Sequence, residues 1–324
     1  MKTNMIDLHC DTFLSMMNPQ HGADIHLGKN HLHVDIEKMK KVGSSAQMFA
    51  IYTPAEKLEK YNLEGKPYEF FRATYRRMQE EFAANSADIA VARNVREYEE
   101  NKAQGKISAF LTVEEGCILE GKLERLDEVY NMGFRIFGLI WMPENCNGFC
   151  NSKDPVLMAK GLKPFGFEVV RRANELGMIL DVSHLSDGGF YDLARTTTQP
   201  FIATHSNCRA LANETRNLTD DMIRTLAEHG GVMGLNLLPD FLDASEKSRI
   251  EFMVNHIKHI RKVGGIETSA IGTDFDGMGG DLEIDNIGDM DRLFDALSKN
   301  GFSDDEIEKI AWKNALRVIS DVCG

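Results

Sequence analysis

Met5-Ile6-Asp7-Leu8-His9-Cys10-Asp11-Thr12 decides how the rest of the chain is read. Side chains alternate faces along a strand. Ile6, Leu8 and Cys10 therefore share one face, which reads as core. Asp7, His9 and Asp11 share the other. A histidine and a carboxylate two residues apart, pointing the same way at a strand's end, make half of a metal site.

Seven further apolar stretches follow the same style. The second strand is expected at 46–52 and the third at 107–114, ending in Glu114. The fourth spans 135–141 and the fifth 178–184, ending in His184. The sixth covers 201–205, ending in His205, the seventh 231–237 and the eighth 269–274, ending in Asp274. Helical punctuation separates them. Asp35 can cap a helix that stops at Gly43, and Pro67 opens one with the apolar stripe Phe71, Tyr75, Met78 and Phe82. Pro164 and Gly177 bracket another, and Ser303 with Glu306 forms a capping box. Strands that are apolar nearly throughout belong in a parallel sheet buried on both faces. Eight of them in 324 residues, with no linker, predict one α/β domain over residues 1–324: a (β/α)8 TIM barrel. The runner-up, a doubly wound sheet, lacks any GxGxxG or GxxxxGK[ST] turn.

A barrel gathers every strand's C-terminal end at one rim, where such enzymes keep their active sites. His9, Asp11, Glu114, His184, His205 and Asp274 would then meet. Parity supports this, because Leu180, Val182 and His184 share a face, as do Phe201, Ala203 and His205, and Ala270, Gly272 and Asp274. Burying three imidazoles beside three carboxylates is costly without cations. The mixed N/O donor set favours zinc, with manganese or iron as alternatives. Four histidines between residues 21 and 33 (His21, His26, His31, His33) fit no single face and read as loop residues.

Composition excludes other classes. A net charge of -13 leaves no basic stripe for nucleic acid. The six scattered cysteines form no CxxC pair, no apolar run is long enough to cross a membrane, and the N-terminus runs straight into the first strand. The expectation is a cytoplasmic protein with reduced thiols and no membrane partner.

The ordered motifs Asp7-Leu8-His9-Cys10-Asp11-Thr12, Val113-Glu114, Gly161-Leu162 through Asp181-Val182-Ser183-His184, Thr204-His205-Ser206, Arg216-Asn217-Leu218 and Gly272-Thr273-Asp274-Phe275-Asp276-Gly277 resemble the membrane (renal) dipeptidase family, the M19 metallopeptidases. The resemblance covers almost the whole chain. It implies a zinc-dependent dipeptidase with two Zn2+ per chain, one held by His9, Asp11 and Asp274 and the other by His184 and His205. Glu114 would bridge them, in preference to its neighbour Glu115. The resemblance also implies attack by a metal-bridging hydroxide, with Asp274 passing the proton to the leaving amine and Arg216 gripping the dipeptide's C-terminal carboxylate. A C-terminal D-residue and a homodimer are further expectations. The family's mammalian members carry a substrate-contacting histidine where this chain has Trp141; Trp141 and, in the loop that follows, Asn145 become candidate substrate contacts. Asp181 and Asp276 are candidates to support the ligands, the alternative being ordinary loop bonding. Two rivals stand beside this reading. One is a related amidohydrolase, disfavoured because such barrels often use HxH and a carboxylated lysine where this chain has HxD and a glutamate. The other is a non-catalytic, metal-bound peptide-binding barrel.

Overall fold

The computed structural model describes residues 3–20, 22–141 and 144–324; His21 and the first residues of the expected 142–154 loop fall outside them. Eight parallel strands close a ring: β1 (Met5–Cys10), β2 (Ser44–Ile51), β3 (Ile107–Val113), β4 (Phe134–Gly138), β5 (Ile179–Asp181), β6 (Ile202–Ala203), β7 (Val232–Leu235) and β8 (Ser269–Ile271). Each pairs with the next in chain order. β8 returns to β1 through Asp7 opposite Ile271, and β2 meets β3 from Ala46 opposite Ser108 to Ile51 opposite Val113. The fold is a (β/α)8 barrel. A short strand, Ile89–Val91, lies outside the ring along the start of β3, and Lys247–Ser248 pairs with Asp281–Leu282 in a separate ribbon.

The helices start and stop where local chemistry dictates. Asp35 accepts the Lys38 N–H at the head of Ile36–Val42, and Gly43 ends it at φ 87°. Pro67 opens Pro67–Ala84, whose Phe71, Met78 and Phe82 are buried. The Ser303–Glu306 capping box is formed; a π turn at Lys309–Lys313 follows, then helix Asn314–Cys323. Among the described residues no helix is long and apolar enough to cross a membrane, and all six cysteines are free.

Two apolar groups divide the interior. Ile6, Leu8, Ala46, Met48, Phe110, Ile136, Ile179, Ile202, Val232 and Ala270 come from all eight strands and pack with Ala315, Val318, Ile319 and Val322. This is the inside of the barrel, closed at its N-terminal mouth by helix Asn314–Cys323. The larger group joins the strands' outward residues to the surrounding helices.

That division corrects the parity reading. Leu180, Val182, Phe201 and Ala203 belong to the outer group, so they do not form inward rows beneath His184 and His205. The β5 and β6 ladders end at Asp181 and Ala203, and the chain turns before each histidine. Cys10 also lies in the outer group although Ile6 and Leu8 point inward. The β1–β2 register shifts between Asp7 and Cys10, which breaks the alternation.

Candidate metal centre and active site

All six predicted ligands meet at the C-terminal rim. Around Glu114 Oε1 lie His184 Nε2 at 3.0 Å, His9 Nε2 at 3.7 Å and His205 Nε2 at 3.7 Å. On its other side His9 Nε2 is 3.3 Å from Asp11 Oδ2 and 3.9 Å from Asp274 Oδ1. Two triads have ligand atoms within 4.8 Å of one another: His9, Asp11 and Asp274, and His9, Glu114 and His205. The His9 and His205 rings stack with centroids 3.8 Å apart.

The backbone is shaped for this crowding. Asp274 adopts φ 63° just past β8, a region aspartate tolerates better than most residues. A Cβ at Gly277 would come within 2.1 Å of Asp11 Oδ2 and 2.9 Å of Asp274 Oδ1. Asn236, just past β7, donates Nδ2–H to Asp274 Oδ2 at 2.9 Å.

Electrostatics mark the cluster as a place for cations. Burial alone would keep His9 neutral, but the Glu114, Asp11 and Asp274 carboxylates outweigh it and push the imidazole up to about 10. Burial, then the Asp11 charge, drives Glu114 well above the carboxylate range. Burial raises Asp274 to about 6 against the pull of His9, with Asp11 adding to the rise. Burial holds His184 and His205 well below the usual histidine range, and Arg216 and His9 add to that. Buried His9 Nδ1 and Asp11 Oδ1 find no hydrogen-bond partner among the described residues. His184 Nε2 accepts from Arg216 Nη2 at 3.2 Å, because a guanidinium can only donate. It nevertheless faces His205 Nε2 at 3.0 Å. Imidazole and carboxylate lone pairs aimed at one another fit divalent cations.

The remaining candidates separate. Glu115 turns away from the cluster: it accepts the Cys117 and Trp141 N–H groups and the Asn145 Nδ2–H, so it organises the loop after β4. Asn145 spends its amide on Glu115, Leu139 O and the Asn147 N–H and does not line the cavity. Trp141 does line it, its ring tilted by 57° against Tyr52 with centroids 4.6 Å apart and 5.7 Å from the His184 ring. This cavity, about 500 Å³, opens over Asp11, Glu114, His184, His205 and Asp274. Arg216 also lines it, buried, with Nη1 on Ser206 Oγ and Nη2 on His205 O. Burial lowers its guanidinium to about 10.

Of the two supporting carboxylates, Asp181 reaches the site and Asp276 does not. Thr204 Oγ1 donates to Asp181 Oδ2 at 2.5 Å and lies 2.7 Å from His205 Nδ1. Asp276 accepts from Thr12 Oγ1 and from the His33 N–H, tying the 22–35 loop to the rim. His26 is exposed and bonds Glu81. Asp7 was not assigned a role from sequence. It accepts the Thr273 N–H and hydroxyl at 2.8 and 2.7 Å, beside Asp274. Its place two residues before His9 on the same strand face was the available signal.

Comparison with known proteins decides the family. The family pattern described as membrane dipeptidase (peptidase family M19) matches residues 1–323. The chain belongs to that family. This M19 chain is a metal-dependent dipeptidase, a hydrolase acting on dipeptides. It is 33% identical over 213 residues to an uncharacterized protein of Klebsiella pneumoniae from the pqqA 5' region, covering 63% of this chain and 78% of that one. It is 32% identical over 222 residues to an uncharacterized dipeptidase of Schizosaccharomyces pombe, covering 66% of this chain and 53% of the yeast protein. Its fold superposes on dipeptidase AC, a metallo peptidase of family M19, with TM-score 0.91 and 26% identity over 100% of both chains. A metallo peptidase from Rhodobacter sphaeroides, liganded with a phosphinate mimic of L-Ala-D-Ala, shares the fold at TM-score 0.89 and 24% identity, covering 99% of this chain and 100% of that one.

Proposed function

We propose that this M19 dipeptidase is a zinc enzyme with two ions per chain, and that residues 1–324 act as one barrel domain. His9, Asp11 and Asp274 would hold one ion, His184 and His205 the other, and Glu114 both. The observation that carries this reading is the convergence of three imidazoles on one buried Glu114 oxygen, at 3.0, 3.7 and 3.7 Å. Divalent cations bound there supply a Lewis acid for the scissile carbonyl and lower the pKa of water toward neutrality.

The chain's own groups do the rest. Asp274 would accept a proton from the attacking water and return it to the leaving amine. Asn236 keeps that carboxylate oriented. Arg216 keeps one Nη1 hydrogen beyond its bond to Ser206 for the substrate's C-terminal carboxylate. Placing that charge one residue from the scissile bond favours a dipeptide over a longer chain. Trp141 and Tyr52 form an apolar wall beside His184 for a substrate side chain and exclude water from it.

The test is a zinc-loaded preparation assayed for metal content and for hydrolysis of L-L and L-D dipeptides. Two zinc ions per chain and turnover of both series support the reading. Full turnover with the metal stripped sinks it, and turnover of L-L dipeptides alone removes the D-residue from it.

A further inference from the structure

Asp181 lies at the end of β5 and is buried. Its Oδ1 accepts the Ser183 N–H at 3.0 Å, the Ser183 hydroxyl at 2.7 Å and the Thr204 N–H at 3.0 Å. Its Oδ2 faces the Thr204 hydroxyl at 2.5 Å. The two backbone N–H groups can only donate, and the Thr204 hydroxyl donates to Oδ2. The proton between Asp181 and Thr204 is therefore the threonine's. A hydroxyl has one proton. Once it points at Asp181, the Thr204 oxygen can only accept from His205 Nδ1, 2.7 Å away. A neutral imidazole has one N–H, so Nε2 is left bare.

We propose that Asp181, acting through the Thr204 hydroxyl, holds His205 in the tautomer protonated on Nδ1 and so presents its Nε2 lone pair to the rim. Both are positioning residues; neither touches the substrate. The proposal rests on the reading of His205 as a metal ligand and names what makes it one.

The same device occurs a second time, independently, between β8 and β1. Asp7 Oδ1 accepts the Thr273 N–H at 2.8 Å and its Oδ2 accepts the Thr273 hydroxyl at 2.7 Å. That hydroxyl in turn accepts the Phe275 N–H at 3.2 Å. Thr273 immediately precedes Asp274, as Thr204 precedes His205. In both places the threonine donates to a buried aspartate on the neighbouring strand and accepts an N–H from the ligand segment. Thr204 cannot drift out of line: a Cβ at Gly234 or Gly272 would come within 2.1 or 1.8 Å of its carbonyl oxygen, so only glycines fit against it. Supporting partners that fix a ligand's tautomer are typically worth about 10–100-fold in metal affinity.

The experiment uses the full chain as wild type, Asp181→Asn, Thr204→Val and Thr204→Ser. Histidine 15N shifts read the His205 tautomer in stripped protein, zinc competition against a chromophoric chelator reads affinity, and kcat and KM are measured after loading. In Asp181→Asn the amide takes the place of Oδ2 and donates to Thr204, whose proton swings toward Nδ1. His205 should then carry its proton on Nε2, with zinc affinity down about 10–100-fold and KM unchanged. Thr204→Val should lose affinity similarly. Thr204→Ser, which keeps the hydroxyl, should match wild type in both tautomer and affinity. Asp181→Asn with His205 still protonated on Nδ1 overturns the proposal, as does Thr204→Val with wild-type zinc affinity. If Asp181→Asn does not fold, the valine–serine pair decides. A wild type that binds no zinc overturns the metal reading, while the shifts of the stripped protein still decide this one.

Discussion

The Nε2 atoms of His184 and His205 lie 3.0 Å apart, and one Glu114 oxygen is within 3.7 Å of both. Two imidazole nitrogens turned toward each other in a buried site suit a shared cation. Glu114 is the only carboxylate among the six predicted ligands placed against all three histidines. Glu114→Gln keeps the shape and removes the charge. We expect metal affinity to fall by more than about 100-fold, beyond the range of a supporting partner, and turnover to fall with it. Metal analysis after gel filtration checks this; a fully loaded, active variant contradicts it.

Gly277→Ala acts on the same cluster through space alone. The added methyl would press on Asp11 Oδ2 and Asp274 Oδ1. Overpacking of this kind costs about 1–3 kcal/mol. We expect a modest loss in urea midpoint with a much larger loss of kcat/KM, because the displaced carboxylates are the proposed ligands. A variant that loses stability but keeps wild-type kinetics would show that the close approach is not required.

Arg216→Ala separates substrate binding from metal holding. A charge-assisted hydrogen bond is worth about 1.5–3 kcal/mol, so KM should rise about 10–100-fold. Metal content should stay at the wild-type level. Loss of metal would instead assign Arg216 the task of fixing His184, whose Nε2 it bonds at 3.2 Å.

His256 gives a pH prediction outside the ligand cluster. Its Nδ1 accepts the Cys208 N–H at 3.1 Å and its Nε2–H donates to Leu242 O at 2.9 Å, so the ring is neutral. Burial lowers it to about 4, partly offset by the Leu242 bond. A folded-state value below the unfolded one stabilises fully above pH about 6.5 and is lost as pH falls toward 4. The stake is about 3 kcal/mol at about 1.4 kcal/mol per pH unit. Urea unfolding of stripped protein at pH 7 and pH 4.5 should show this loss in wild type and a smaller one in His256→Gln. Equal losses would contradict it.

The barrel and the meeting of the six candidate ligands at its rim were legible because both depend on residue type at strand ends. Eight apolar runs spaced by helix signals admit few architectures, and five of those runs stop at a residue type that can bind a metal. The route by which His184 and His205 arrive was not legible. The ladder covers only three residues in β5 and two in β6, so a turn, not strand parity, aims these side chains. Hydrogen-bond polarity was equally hidden. Asp181 and Asp276 looked alike in sequence, yet one reaches His205 through the Thr204 hydroxyl and the other fastens a loop. Asn145 was read as a substrate contact from its position in the loop; its amide is committed to Glu115, 30 residues earlier, which only the folded chain reveals.

Helix Asn314–Cys323 stoppers the barrel beneath β1, and β8 is the strand that closes the ring. Both are made late in synthesis, while His9 and Asp11 are made first. A nascent chain therefore carries its first ligands for the time needed to translate more than 250 further residues, at about 5–20 residues per second, before their partner Asp274 exists. The rim that gathers the six candidate ligands is therefore complete only once β8 has paired with β1.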